Sequence, residues 1–146
     1  MVKKMKYKKI LVIALIALLA CVAVNAVQAE PTGYTENITG IDFNIPKGFI
    51  ESKHSVKDNV SEEMNATTDV RGFYNDDKDT IIISVIEYGG KFDSSLTGDG
   101  ESVTIKNMDG RLKQDDEGKY HFKYFKDNHY VSISAPDKKL IEEIIK

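Results

Sequence analysis

The chain has 146 residues, with 20 lysine and arginine against 23 aspartate and glutamate, a formal charge of −3, one cysteine and no tryptophan. That balance excludes a basic nucleic-acid-binding domain and a disulfide-stapled scaffold, and the length suits one domain with a modest core. No spacing of residues carries an assigned chemistry, so the sequence speaks to location and build rather than to a reaction.

The first element is an N-terminal hydrophobic signal segment. Lys3, Lys4, Lys6, Lys8 and Lys9 precede an unbroken apolar run from Ile10 to Val24, and Val27-Gln28-Ala29 ends in small residues suited to cleavage after Ala29. Two other readings compete. Leu18-Leu19-Ala20-Cys21 resembles a lipobox, which makes Cys21 a candidate for lipidation, and Ile10 to Ala29 has the length of ~20 residues that an uncleaved anchor needs. In all three the domain is expected outside the cell, with the membrane touched only through residues 1–29. Cleavage after Ala29 removes the five leader lysines with the segment and leaves 117 residues with a formal charge of −8. Such a surface repels phosphate backbones.

Residues 30–36 read as a linker, broken by Pro31 and Gly33, and residues 37–146 as a single α+β domain. Asn37, Asn59 and Asn65 head Asn-X-Ser/Thr triplets and are the candidate glycosylation sites of an exported chain. Ile38, Ile41, Phe43 and Ile45 alternate, with one interruption, before a turn at Pro46-Lys47-Gly48, which predicts a strand pair or one bent strand. Val56, Val60 and Met64 recur every four residues, so residues 52–69 read as a frayed helix or a loop. His54 stands alone there as a surface residue.

Two strands then flank the polar tip Asn75–Asp79, the second being the Ile-rich run from Thr80 to Tyr88. Apolar residues at successive positions predict a central strand covered on both faces. The tip lacks the glycine and terminal glutamate of a calcium loop, so its Asn and Asp residues read as turn formers. Gly89 to Gly100 is a long loop whose glycines do not have phosphate-cradle spacing; with Phe92 at its centre it is a candidate partner contact. Val103 and Ile105 alternate ahead of turns at Asp109-Gly110 and Asp116–Gly118, which describes an antiparallel meander.

"KYHFKYFKDNHYVSIS" follows, with two histidines and five aromatics in sixteen residues. Asp127-Asn128 at the centre of a type I′ turn fixes the register: Phe125 opposes Tyr130, Tyr124 opposes Val131, Phe122 opposes Ile133 and His121 opposes Ser134. One face then carries Tyr120, Phe122, Tyr124, Val131, Ile133 and Ala135, whose burial contributes on the order of 8 to 12 kcal/mol. The other leaves Phe125 and Tyr130 as a second candidate contact. His121 beside Ser134 invites a nucleophile reading, but no orienting group or oxyanion hole is evident nearby, so no catalytic residue, metal ligand or cofactor site is assigned. Finally Leu140, Ile141, Ile144 and Ile145 form the stripe of a C-terminal helix, with Pro136 and Asp137 at its start, expected to cover part of the second sheet face.

"ITGIDFNIPKGF", "IIISV" and "YHFKYFKDNHYVSISAPDKKLIEEII" resemble stretches of small uncharacterised exported proteins of methanogenic archaea. The order of strand, Ile-Pro-x-Gly-Phe turn, meander and last helix is also similar to Mog1/PsbP-like α+β domains. That second resemblance implies a binding or accessory module; neither transfers a functional residue. The expectation is an antiparallel sheet of five to seven strands with the C-terminal helix packed on one face. Its function is a non-enzymatic secreted or cell-surface accessory domain binding an unknown protein or cell-envelope partner. An extracellular metal-dependent or hydrolytic enzyme using His121, His129 and loop carboxylates, and a purely structural surface component, are the alternatives.

Overall fold

The computed structural model describes residues 33–90 and 98–146, and the signal segment with Cys21 lies outside them, as does Phe92. The elements are β1 (Tyr34–Ile38), β2 (Ile41–Ile45), β3 (Ile50–Glu51), β4 (Val56–Ser61), β5 (Ala66–Tyr74), β6 (Thr80–Tyr88), β7 (Glu101–Ile105), β8 (Met108–Gln114), β9 (Tyr120–Lys126), β10 (His129–Ala135) and α1 (Lys138–Ile144). This is a mostly antiparallel β structure with one short C-terminal helix, an α+β fold. Among the described residues no helix is long and apolar enough to cross a membrane.

Two-residue turns set the geometry. Thr39-Gly40, Lys106-Asn107 and Asp127-Asn128 join β1 to β2, β7 to β8 and β9 to β10, and all six turn residues have φ between 45° and 82°. Backbones of that hand match the twist of the flanking strands, so register is fixed locally. Across Asp127-Asn128 the pairs run from Lys126↔His129 to Ala135↔Tyr120, the register read from the sequence. Phe122, Tyr124, Val131, Ile133 and Ala135 are accordingly buried, while the alternate residues are half-exposed.

The main sheet has β3 and β4 successively along β5, followed by β6, β10, β9, β8 and β7. It is therefore two meanders joined where β10 pairs with β6, with eight strands rather than five to seven; β1 and β2 form a separate hairpin. That hairpin and α1 cover one face, where Phe43, Phe73, Ile81, Ile83, Ile141 and Ile144 share one core with the β9–β10 residues. Asp137 is the helix N-cap, its carboxylate accepting from the Leu140 N–H at 2.8 Å.

Several expectations are corrected. β1 begins at Tyr34, so residues 34–36 are strand and not linker. Residues 56–61 and 66–69 are strand, neither helix nor loop. A spacing of four is also two strand repeats, and β-branched valines and threonines favour the extended form. The turn expected at Asp109-Gly110 lies at Lys106-Asn107, and Gly110 is inside β8. A Cβ there would stand 2.3 Å from the Lys123 carbonyl oxygen and 2.7 Å from the Phe122 ring, so the glycine serves close strand packing. Finally, α1 packs on the same face as the rest of the core. β6 is central because β5 and β10 flank it, yet Ile82 on its other face is 44% exposed. In-plane neighbours favour isoleucine there through cross-strand contacts without a covering layer.

Gly110→Ala is expected to cost about 2–3 kcal/mol in urea unfolding, because the clash is with backbone and an aromatic ring. Gly72→Ala, where the nearest atom to a new Cβ is the Ser52 Cβ at 3.6 Å, should be neutral or stabilise by about 0.5–1 kcal/mol. Equal losses at the two positions would contradict the register of β8 on β9.

Candidate functional site

The uncovered face of the sheet is ordered in rows. Gly72, Ile82, Ser134, His121 and Lys113 lie side by side across β5, β6, β10, β9 and β8. The next row, starting at β4, is Val56, Val70, Ser84, Ser132, Lys123, Arg111 and Ser102. The face is thus apolar towards β3 and β4, small at its centre and cationic towards β7. At its apolar end Ile50 (51% exposed), Tyr74 (44%), Val56 (48%) and Ile82 (44%) are large side chains left in water. Phe125 and Tyr130 pack edge to face on this same side, with ring centroids 5.4 Å apart, and both are half-buried.

His121 is held between two partners. Its Nδ1 lies 2.6 Å from the Ser134 Oγ and its Nε2 2.7 Å from the Asp115 Oδ2. Asp115 is itself fixed, its Oδ1 accepting from the N–H groups of Glu117 at 3.0 Å and Lys119 at 2.9 Å. The His121 bond first, then those two N–H groups, hold the Asp115 carboxyl below its ordinary value. With Asp115 ionised, Nε2 carries the ring proton and Nδ1 accepts from the Ser134 hydroxyl.

This supplies the orienting carboxylate that the sequence reading lacked. The signal was in the hairpin count: Gln114 pairs with Tyr120, so Asp115 is the first residue of the turn beyond it and returns its side chain to His121. The order hydroxyl, imidazole, carboxylate is that of an activated nucleophile. Ser134, however, sits inside a strand paired on both sides, with Ile82 and His121 as its register partners. The N–H groups around it are engaged in the ladder, and a serine nucleophile needs unengaged donors aimed at the oxyanion. As it stands, the trio fastens the β8–β9 turn to β10.

A second polar cluster lies on the core side. Arg71 is 8% exposed and Asp69 3%. The guanidinium reaches Glu51 Oε1 at 3.0 Å, Glu36 Oε1 at 3.4 Å and Asp69 Oδ2 at 3.5 Å, with its Nε unpartnered. Asp69 also accepts from the Thr39 hydroxyl at 3.1 Å and from the Asp58 N–H. These bonds tie the β1–β2 turn, β3 and β4 to β5.

The remaining site candidates are spread apart. His129 is at the far end of the hairpin from His121, with Nδ1 2.6 Å from the Asp127 carbonyl oxygen and a buried, unpartnered Nε2. His54 is exposed. Among the described residues no three His, Cys, Asp or Glu side chains gather as a metal site. Asn75 and Asp79 bond each other across their turn. Of the glycosylation candidates, Asn37 spends its amide nitrogen on Asp42 at 2.7 Å and its oxygen on the Gly40 N–H at 3.2 Å. Asn65 has φ 47° and lies against Gly89, whereas Asn59 is an exposed residue of β4. No family model matches the chain, and neither a curated protein nor a solved structure matches it.

The carboxyl of Asp115 is depressed, so its stabilising contribution is present above its unfolded pKa, near 3.9, and is lost as pH falls through the folded value. Asp115→Asn should therefore flatten the acid limb of the stability–pH curve below about pH 4 relative to the parent. An acid limb of the same slope in Asp115→Asn and the parent, with stability measured by urea unfolding at each pH, would show that the trio is not formed. Arg71→Ala should cost about 3–5 kcal/mol, since it leaves the Asp69 carboxylate buried without its cation.

Proposed function

We propose that the chain is a non-enzymatic secreted or cell-surface accessory domain that binds a protein of the cell envelope through the open face of its sheet. The observation that carries this reading is the group Ile50, Tyr74, Val56 and Ile82, four large apolar residues exposed on the same face of β3, β5, β4 and β6. Folding does not require them, because the core lies on the other face, and large apolar side chains gathered on one exposed face mark interaction sites. The cations Lys123 and Arg111 on the same face select a partner whose apolar centre has an acidic border.

The test is co-sedimentation of the full chain with isolated cell envelopes of its own source. The double variant Tyr74→Ser, Ile82→Glu should bind at least about tenfold more weakly, since burying an unpaired carboxylate and losing the tyrosine ring each cost a kcal/mol or more. Both positions are exposed, so its Tm should stay within a few degrees of the parent's. Undiminished, saturable binding by the double variant would remove the reading.

The hydrolytic alternative has one observation in its favour, the Ser134–His121–Asp115 order. It predicts that a fluorophosphonate labels the protein and that Ser134→Ala abolishes the label. On the binding reading the parent and Ser134→Ala remain equally unlabelled.

A further inference from the structure

The sheet ends in two edges that are finished differently. On one side β3 has two residues, and β4 is broken by a register shift between Val56 and Asn59, where Asp58 has φ 51° and turns its N–H inward to Asp69. A bulge, an exposed Lys57 and a short strand are the devices by which proteins stop an edge from pairing. At the other side β7 has none of them. Its five residues, Glu-Ser-Val-Thr-Ile, keep unbroken register with β8 from Glu101↔Leu112 to Ile105↔Met108, with no proline, lysine or bulge.

The two-residue turn at Lys106-Asn107 makes Ile105↔Met108 a hydrogen-bonded pair, so Val103 and Glu101 are bonded to β8 as well. By alternation, the N–H and C=O groups of Ser102 and Thr104 point away from the sheet. Their side chains fall on the open face, where a groove of about 460 Å³ is lined by Ser102, Thr104, Asp109, Arg111 and Phe125 over the backbone of Val103 and Gly110. The same two residues therefore offer outward backbone bonds and line the groove beside them.

We propose that the outer edge of β7 is a strand-addition site for an extended, acidic segment of a protein partner. The segment pairs with the main chain of Ser102 and Thr104. Residues opposite each other on paired strands share a face, so its side chain opposite Ser102 continues the row Ser102, Arg111, Lys123. Ser102 is short, and the next residue of the row, Arg111, donates from Nη1 to the Gly100 carbonyl oxygen at 3.3 Å, at the start of the same edge. A carboxylate is favoured there by the two cations, and an apolar or hydroxyl side chain opposite Thr104, towards Asp109 and Phe125. A second copy of this chain fits less well: antiparallel self-pairing about Val103 sets Ser102 against Thr104, and the nearest acid it adds to the row, Asp109, lies one strand further on and already accepts from the Thr104 hydroxyl at 2.6 Å. The proposal rests on the reading of a protein-binding domain but uses the side of the open face away from Ile82.

The test is hydrogen–deuterium exchange of the full chain with residue-level fragmentation. The probe is a seven-residue peptide alternating valine and threonine around one central glutamate, compared with the same peptide carrying lysine in its place. The glutamate peptide should slow exchange at Ser102 and Thr104 at least tenfold and bind at least fivefold more tightly than the lysine peptide. Arg111→Gln should erase that preference while keeping the protection, and Thr104→Pro, which removes an outward N–H that an edge strand tolerates losing, should abolish the protection. Tyr74→Ser, Ile82→Glu should bind the peptide like the parent even where it has lost the envelope. Millimolar peptide without added protection, equal affinity for the two peptides, or protection that appears with rising protein concentration and no peptide would each overturn the proposal.

Discussion

The Asp127-Asn128 bend is the constraint on which the other parts depend. Side chains alternate across a strand, so a slip of one residue in the β9–β10 pairing would turn Lys123 and Phe125 into the core and Phe122 and Ile133 into water. Positive φ at both turn residues leaves one register available. β10 then carries that register onward, because β6 pairs with it from His129↔Glu87 to Ser134↔Ile82, and this pairing joins the two meanders. The placement of His121 beside Ser134, of Ile82 on the open face and of Ile81 and Ile83 in the core all descend from two residues of turn chemistry.

A second constraint is that, among the described residues, one sheet face has a cover and the other has none. The β1–β2 hairpin and α1 supply apolar side chains to one side, closed by Phe43 bridging to Ile145 and by Lys106 capping the Ile145 carbonyl at 2.9 Å. The opposite side meets water through Gly72, Ser84, Ser132 and Ser134, small enough to leave the backbone ladder near the surface. Against that background Ile50, Tyr74, Val56 and Ile82 are the exceptions. Their exposure follows from the register, but their chemistry does not, which is why they rather than the aromatics of β9 bear the functional reading.

The parts of the sequence that were legible are those in which turn chemistry and alternation agree. From Val70 to Tyr88 and from Tyr120 to Ala135, Asn and Asp tips separate strongly patterned runs, and the strands fall where the pattern puts them. Residues 52–69 were illegible because β4 is an edge strand with a bulge. Its exposed side chains show no inward alternation, and a four-residue spacing satisfies helix and strand alike. Asp109-Gly110 misled for a different reason: glycine marks turns and also close approach of strands, and only the Phe122 ring over Gly110 distinguishes them. The carboxylate of the His121 trio belongs to a turn rather than a strand, so counting within strands passed it by. The Arg71 cluster gave no sequence signal at all, since Glu36, Glu51 and Asp69 are brought to it from three separate segments.

The same accounting of backbone groups separates the two kinds of chemistry open to this fold. A serine nucleophile at Ser134 needs N–H donors that the ladder has not already claimed, and a strand lying between β6 and β9 has its N–H groups shared between those two neighbours. Among the described residues, unspent backbone capacity of the sheet is found at the margins. On the β4 side the bulge and the inward bond of Asp58 to Asp69 consume or misdirect it. On the β7 side regular pairing with β8 leaves Ser102 and Thr104 with outward groups at strand spacing. On the proposed binding reading, recognition would use the edge and the open face, where backbone groups and side chains remain unspent, and not the centre of the sheet, where the ladder has claimed the N–H groups.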